Sequence, residues 1–217
     1  MNNVLSFLKN LEANNNKDWF DKNKESYLSI KSNFETTVNE ILFNIKKFDS
    51  SIAKDLEAKQ CVYRIYKDVR FSKDKTPYKI NMGASINCGG KKSGKAGYYL
   101  HIQNNASFIA GGVYMPNPEV LNNIRQEIDY NSKDFIKIIS SKSFTAYFKG
   151  LDNIDKLKLP PKGYDINNPM NEYIKHKHFI ASCKLTNSDV NNLQFVNTVN
   201  KGFKAVKPLI DFLNNAI

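Results

Sequence analysis

Between Arg64 and Lys79 the chain reads RIYKDVRFSKDKTPYK, placing two arginines, four lysines and two aspartates within sixteen residues. Arginine presents a planar fork that matches phosphate or carboxylate, and lysine adds a mobile point charge. Asp68 lies four residues after Arg64 and two before Arg70, so on an extended chain it can orient either guanidinium. If the run begins as a strand, Arg64, Tyr66, Asp68 and Arg70 face one way, and Tyr63, Ile65, Val69 and Phe71 face the other with Lys67. The expectation is a hydrogen-bonded cluster of Arg64, Asp68 and Arg70. Lys67, Lys73, Asp74, Lys75 and Lys79 add to this anion site around a turn at Pro77. The competing reading is a salt ladder on a solvated sheet face, with Lys67 extending its stem along the surface.

His101 lies on GYYLHIQ, alternating with Tyr99 and Gln103, and could join the same polar face as a ligand-binding residue. As a proton-transfer group it would need a tuned pKa and a positioned partner. An enzyme reading would draw on Asp68, Asp74, Tyr66 or His101, with the arginines as substrate clamp. His176 and His178 sit among lysines in KHKHF, where positive charge opposes both metal binding and protonation. Cys61, Cys88 and Cys183 are odd in number and lack C-x-x-C spacing, which disfavours a disulfide framework or a zinc site. Cys183 reads as a small buried residue. Trp19 with Phe20, and Tyr98 with Tyr99, offer either stacking surfaces or core. Gly111 and Gly112 suggest a bulge or a close backbone approach. There is no G-x-G-x-x-G, P-loop, G-x-S-x-G or H-E-x-x-H sequence, so neither a cofactor nor a metal is expected.

The elements that must position these groups are read from periodicity. Val4 to Leu11 is a short amphipathic segment, and Asn14, Asn15 and Asn16 offer a turn and an N-cap. Phe20, Tyr27, Ile30, Phe34, Val38, Ile41, Ile45 and Phe48 then recur at helical spacing, predicting a long helix over 17–47. From Cys61 to Met115 the pattern becomes CVYRIYKDVRF, INMGASINC, GYYLHIQ and SFIAGGVYM, four runs that read as successive antiparallel strands. GGKKSGKAG and QNNA connect the last three. Helices return after Pro116 and Pro118, LKLPPKGYDINNP is irregular, and FIASCKL is again extended. Terminal helices follow from about Asp189. The predicted class is α+β: a single antiparallel sheet of about four or five strands over 61–115, with 178–185 a candidate addition, packed with N-terminal and C-terminal helices.

The 217 residues fit a single α+β domain spanning 1–217. A hydrophobic share of 41% supports a core and argues against disorder. No leader pattern and no apolar run of membrane-spanning length is seen, which with the cysteine usage leads to the expectation of a cytoplasmic protein without a membrane partner. The formal charge of +11 favours an anionic partner, and the lysines from Lys73 to Lys95 concentrate it. Lysine–asparagine richness from coding bias is the bland alternative.

The hallmark from Arg64 to Lys79 closely resembles that of a widespread uncharacterised family known only as a conserved domain of unknown function. NNNKDWF from Asn14, GYYLHI from Gly97, GGVYMP from Gly111 and LPPKGYD from Leu159 are similar to its other blocks, so the resemblance covers nearly the whole chain. Lys67 stands where the family pattern has arginine, and Asn168 where histidine is common. The resemblance implies membership and carries no activity with it. The expected function is binding of an anionic ligand, either a phosphorylated small molecule or nucleic acid. An enzyme on the same face and a protein-interaction domain are the alternatives.

Overall fold

The computed structural model describes residues 1–91 and 93–217; Lys92, in the expected glycine–lysine connection, lies outside the described residues. The first helices are α1 (Asn2–Ala13), α2 (Lys17–Lys22) and α3 (Lys24–Ile45). The Asn16 side chain accepts from the Trp19 amide to start α2, the N-cap role its amide oxygen suits. The expected long helix is interrupted only at Asn23. Its stripe is buried from Phe20 through Tyr27, Ile30, Phe34, Val38 and Ile41 to Ile45, so the 3.6-residue period was the correct guide. A one-turn helix, α4 (Ala58–Cys61), precedes the hallmark.

The sheet contains β1 (Met82–Asn87), β2 (Gly97–Ile102), β3 (Ser107–Val113) and, late in the chain, β4 (Phe179–Leu185), in that spatial order and antiparallel throughout. Three of the four expected strands in 61–115 form, and FIASCKL supplies the fourth. CVYRIYKDVRF does not become a strand. It ends α4 and then runs as an irregular loop that carries the isolated bridges Val62 to Ala84 and Tyr66 to Tyr78.

Between β3 and β4 come α5 (Pro118–Tyr130), α6 (Ser132–Ile139), α7 (Lys142–Thr145) and α8 (Asn171–Ile174), with the proline-rich segment irregular between the last two. After β4, α9 (Asn187–Asn191) leads into α10 (Phe195–Asn215). The core face of the sheet carries Met82, Ala84, Ile86, Tyr98, Leu100 and Ile102, all buried. α10 lies against β3 so closely that a Cβ on Gly202 would be 2.3 Å from Ile109 Cδ1, and one on Gly111 would be 2.4 Å from Val206 Cγ1. The close backbone approach predicted for the Gly111–Gly112 pair is at Gly112, where a Cβ would be 2.0 Å from the Phe179 carbonyl oxygen. The packing of α10 leaves the opposite face of the sheet open at its centre.

Candidate functional site

Strand alternation fixes what the open face presents. Antiparallel register aligns Asn87, Gly97, Gly112 and Ile180 in one row across four strands, and Ser85, Tyr99, Ala110 and Ser182 in the next. A third row runs Gly83, His101, Phe108 and Lys184. Half of these twelve positions are glycine, alanine or serine, so the face is hollow where a sheet ordinarily carries bulk. The hollow is a cleft of about 610 Å³, within the range of small-molecule sites.

Cations stand around it. Arg64, Lys79, Lys91 and Lys95 all line the cleft, and among the described residues no carboxylate does. Backbone oxygens hold two of the lysines: Lys79 donates to the Arg64 carbonyl at 2.9 Å and Lys91 to the Val62 carbonyl at 2.7 Å. Both ammonium groups also lie near the Tyr63 ring, 5.5 and 5.3 Å from its centroid, where the π face attracts cations. Partial burial lowers the pKa of Lys79, and Arg64 and Lys91 lower it further. Positive groups therefore crowd one another here, and among the described residues no carboxylate lines the cleft, although Asp68 feels the Arg64 charge from outside it. Among the described residues the Arg64 side chain makes no hydrogen bond or ion pair.

The hallmark residues divide by position. Arg64 and Lys79 reach the cleft. Asp68 and Arg70 instead form an exposed two-bond pair, Nε to Oδ1 at 2.9 Å and Nη2 to Oδ2 at 2.7 Å. Their contact holds the Asp68 carboxyl below its usual range. Lys67 pairs with Asp74 at 2.5 Å and donates to Thr76 Oγ1 at 2.7 Å, and these contacts with Lys67 and Thr76 keep Asp74 well below the carboxylate range. Lys75 donates to the Val69 carbonyl, and Lys73 is exposed. Phe71, expected to face inward beside Val69, is 96% exposed. The expected single cluster of Arg64, Asp68 and Arg70 is thus two separate features, because the loop does not alternate like a strand.

His101 lies on the open face but does not line the cleft. Its ring stacks on Phe108 with centroids 4.6 Å apart. Nε2 donates to Gln103 Oε1 at 2.9 Å and Nδ1 accepts from Asn81 Nδ2 at 2.9 Å; burial lowers its pKa. This is a neutral imidazole with both nitrogens occupied. Tyr66 packs on Phe20 and Tyr78. The enzyme candidates Asp68, Asp74, Tyr66 and His101 therefore do not converge on the cleft. Tyr99 does line it, with its phenol pushed up to about 12 by burial and the nearby Tyr63, so it stays protonated near neutrality.

Sequence reasoning missed Tyr63 and Asn87. The alternation places Tyr63 on the core side of a strand that does not form. Asn87 lies on the same face as Ser85 and Gly83, an alternation visible in MGASIN once the strand is known. Phe20 and Tyr98 prove to be core, each 1% exposed. His176 is buried, and His178 accepts from the Met115 amide. Asn168, the departure noted above, donates to Asp129 Oδ1. Among the described residues no group of three or more His, Cys, Asp and Glu side chains could hold a metal, and no helix is long and apolar enough to cross a membrane.

A family model described as a conserved hypothetical protein (DUF2461) matches residues 3–212. No curated protein and no solved structure matches the chain.

Proposed function

Since the chain belongs to the conserved hypothetical family DUF2461, whose description carries no activity, we propose from the site alone that it binds a phosphorylated small molecule in the open-face cleft. The observation that carries this reading is the unbalanced charge of the lining: Arg64, Lys79, Lys91 and Lys95, with no carboxylate among the described residues. Like charges held close raise the free energy of the unliganded protein, and an anion entering among them relieves that repulsion as it gains charge-assisted hydrogen bonds. Arg64 supplies the planar fork and the lysines supply charge from the sides. The concave shape favours a small molecule over a nucleic-acid strand, which would follow a longer basic groove. The groups considered for proton transfer lie outside the cleft or have their polar atoms engaged, so binding accounts for the site better than catalysis does.

Calorimetric titration with inorganic pyrophosphate at low salt tests the proposal. Arg64→Gln removes one charged fork, and a hydrogen bond to a charged group is worth about 1.5–3 kcal/mol. The expected loss is roughly tenfold or more in affinity. Arg70→Gln, outside the cleft, should leave the affinity unchanged. Absence of binding by the unaltered protein, or equal losses in the two variants, would overturn the proposal.

A further inference from the structure

Building on that anion-binding reading, we infer that the ligand joins its anionic group to a flat ring, as a nucleoside monophosphate does. The phosphate lies among Arg64, Lys79, Lys91 and Lys95, and the ring lies over the glycine floor. Three observations lead there.

The first is the row Asn87, Gly97, Gly112, Ile180. Its two central positions have no side chain, and the packing of the sheet keeps them so. A Cβ on Gly97 would be 2.5 Å from the Ile86 carbonyl oxygen, and one on Gly112 would be 2.0 Å from that of Phe179. The floor there is peptide backbone across neighbouring strands about 4.8 Å apart, a surface that a planar group covers better than a branched one.

The second is the distribution of the walls. Tyr63 and Tyr99 meet edge to face at 6.4 Å beside the cations. Tyr114, Ile154 and Ile180 form the far end, and Tyr114 is 61% exposed with its ring stacked on His178 at 4.7 Å. The cleft therefore has a cationic end and an aromatic, aliphatic end, and it calls for a ligand with the same two-part character. Inorganic phosphate would fill only one of them.

The third is Asn87, which lines the cleft and is only 7% exposed. Its Nδ2 donates to the Lys95 carbonyl at 3.4 Å, which orients the amide. Its Oδ1 is buried without a donor among the described residues. A buried carbonyl oxygen is costly to leave unpaired. Placed beside cations, it asks for a ligand that brings a hydroxyl or N–H hydrogen along with its negative charge, as a sugar or amino-bearing ring does and pyrophosphate does not.

Titration calorimetry with inorganic pyrophosphate, ribose 5-phosphate, AMP and a single-stranded oligoadenylate separates the possibilities. AMP should bind about tenfold or more tightly than ribose 5-phosphate, the gain expected from stacking one base. Ala110→Leu adds bulk to the floor away from the cations. It should erase the AMP advantage while leaving pyrophosphate affinity within about twofold, as an effect confined to an apolar contact requires. Should that variant melt early, Ser85→Val, in the same row on β1, makes the same test. Equal binding of AMP and ribose 5-phosphate, or an AMP preference that survives both variants, overturns the ring assignment while pyrophosphate binding still upholds the anion site. Failure of pyrophosphate and AMP alike overturns both. Oligoadenylate displacing AMP at equal nucleotide concentration would assign the cleft to nucleic acid and overturn a mononucleotide ligand.

Discussion

Arg64 and Arg70 are six residues apart and chemically identical, yet their surroundings assign them different work. Arg70 closes a two-bond fork with Asp68 in solvent, whereas Arg64 stands over the cleft beside Lys79. Arg70→Lys should therefore leave both pyrophosphate binding and melting temperature within experimental scatter, since exposed pairs contribute little to stability; thermal melts and calorimetry on that variant check both. The sequence could place the two arginines together only by assuming a strand, which the loop does not form. His176 makes a second residue-scale case. It is 2% exposed, and burial with Lys156 nearby lowers its pKa from 6.5 to about 4. The unfolded chain takes up a proton below about pH 6.5 while the folded chain does not until about pH 4. Stability is thus full above pH 6.5 and falls as the pH drops through that window, by a loss on the order of 3 kcal/mol. Urea denaturation between pH 4 and 7 should show this slope, and His176→Gln should flatten it; an unchanged slope would place the titration elsewhere. The lysines of KHKHF argue against a metal there, and burial of His176 is the property those charges conceal.

At the scale of elements, the helical stripe from Phe20 to Ile45 was legible because a 3.6-residue period leaves few alternatives. β1, β2 and β3 were legible from their alternation and the turns between them. CVYRIYKDVRF alternates as well, but its backbone is engaged locally. Asp68 Oδ1 accepts from the Arg70 amide and Asp74 Oδ1 from the Thr76 amide, bonds by which short acidic side chains compete with a ladder. The Pro77 carbonyl accepts from Lys67 N, but proline has no N–H to continue the pairing. The loop is tied instead to the α1–α2 turn, where the Asn15 amide makes both backbone bonds of Tyr78. The contact of α10 with β3 offers a direct energetic test. Gly111→Ala would put a methyl against Val206 and should destabilise by about 1–3 kcal/mol, as overpacking does. Val206→Ala clears the space, so the double variant should recover part of that loss. Chemical denaturation of the single and double variants measures the coupling; strictly additive losses would mean that α10 is not held where the sheet places it.

Over the whole molecule the charge of +11 was plain from composition, but its concentration at the cleft was not, since Arg64, Lys79, Lys91 and Lys95 come from the hallmark loop and the β1–β2 connection. If the cleft carries the binding, pyrophosphate affinity should fall as salt rises from about 0.05 to 0.5 M, because screening weakens partly exposed charge more than buried charge. Affinity independent of salt would point to uncharged contacts. The same loop also meets the outer margin of the sheet. Tyr63 N bonds the Gly83 carbonyl and Val62 bridges Ala84, occupying the middle of β1 on the side that has no neighbouring strand. A bare strand margin is a template on which another chain can pair. Val62 and Tyr63, immediately ahead of the irregular hallmark, therefore cover part of that margin. Unpairing Val62 and Tyr63 from β1 would bare that margin, and such a protein should turn cloudy on concentration even where its helices remain folded.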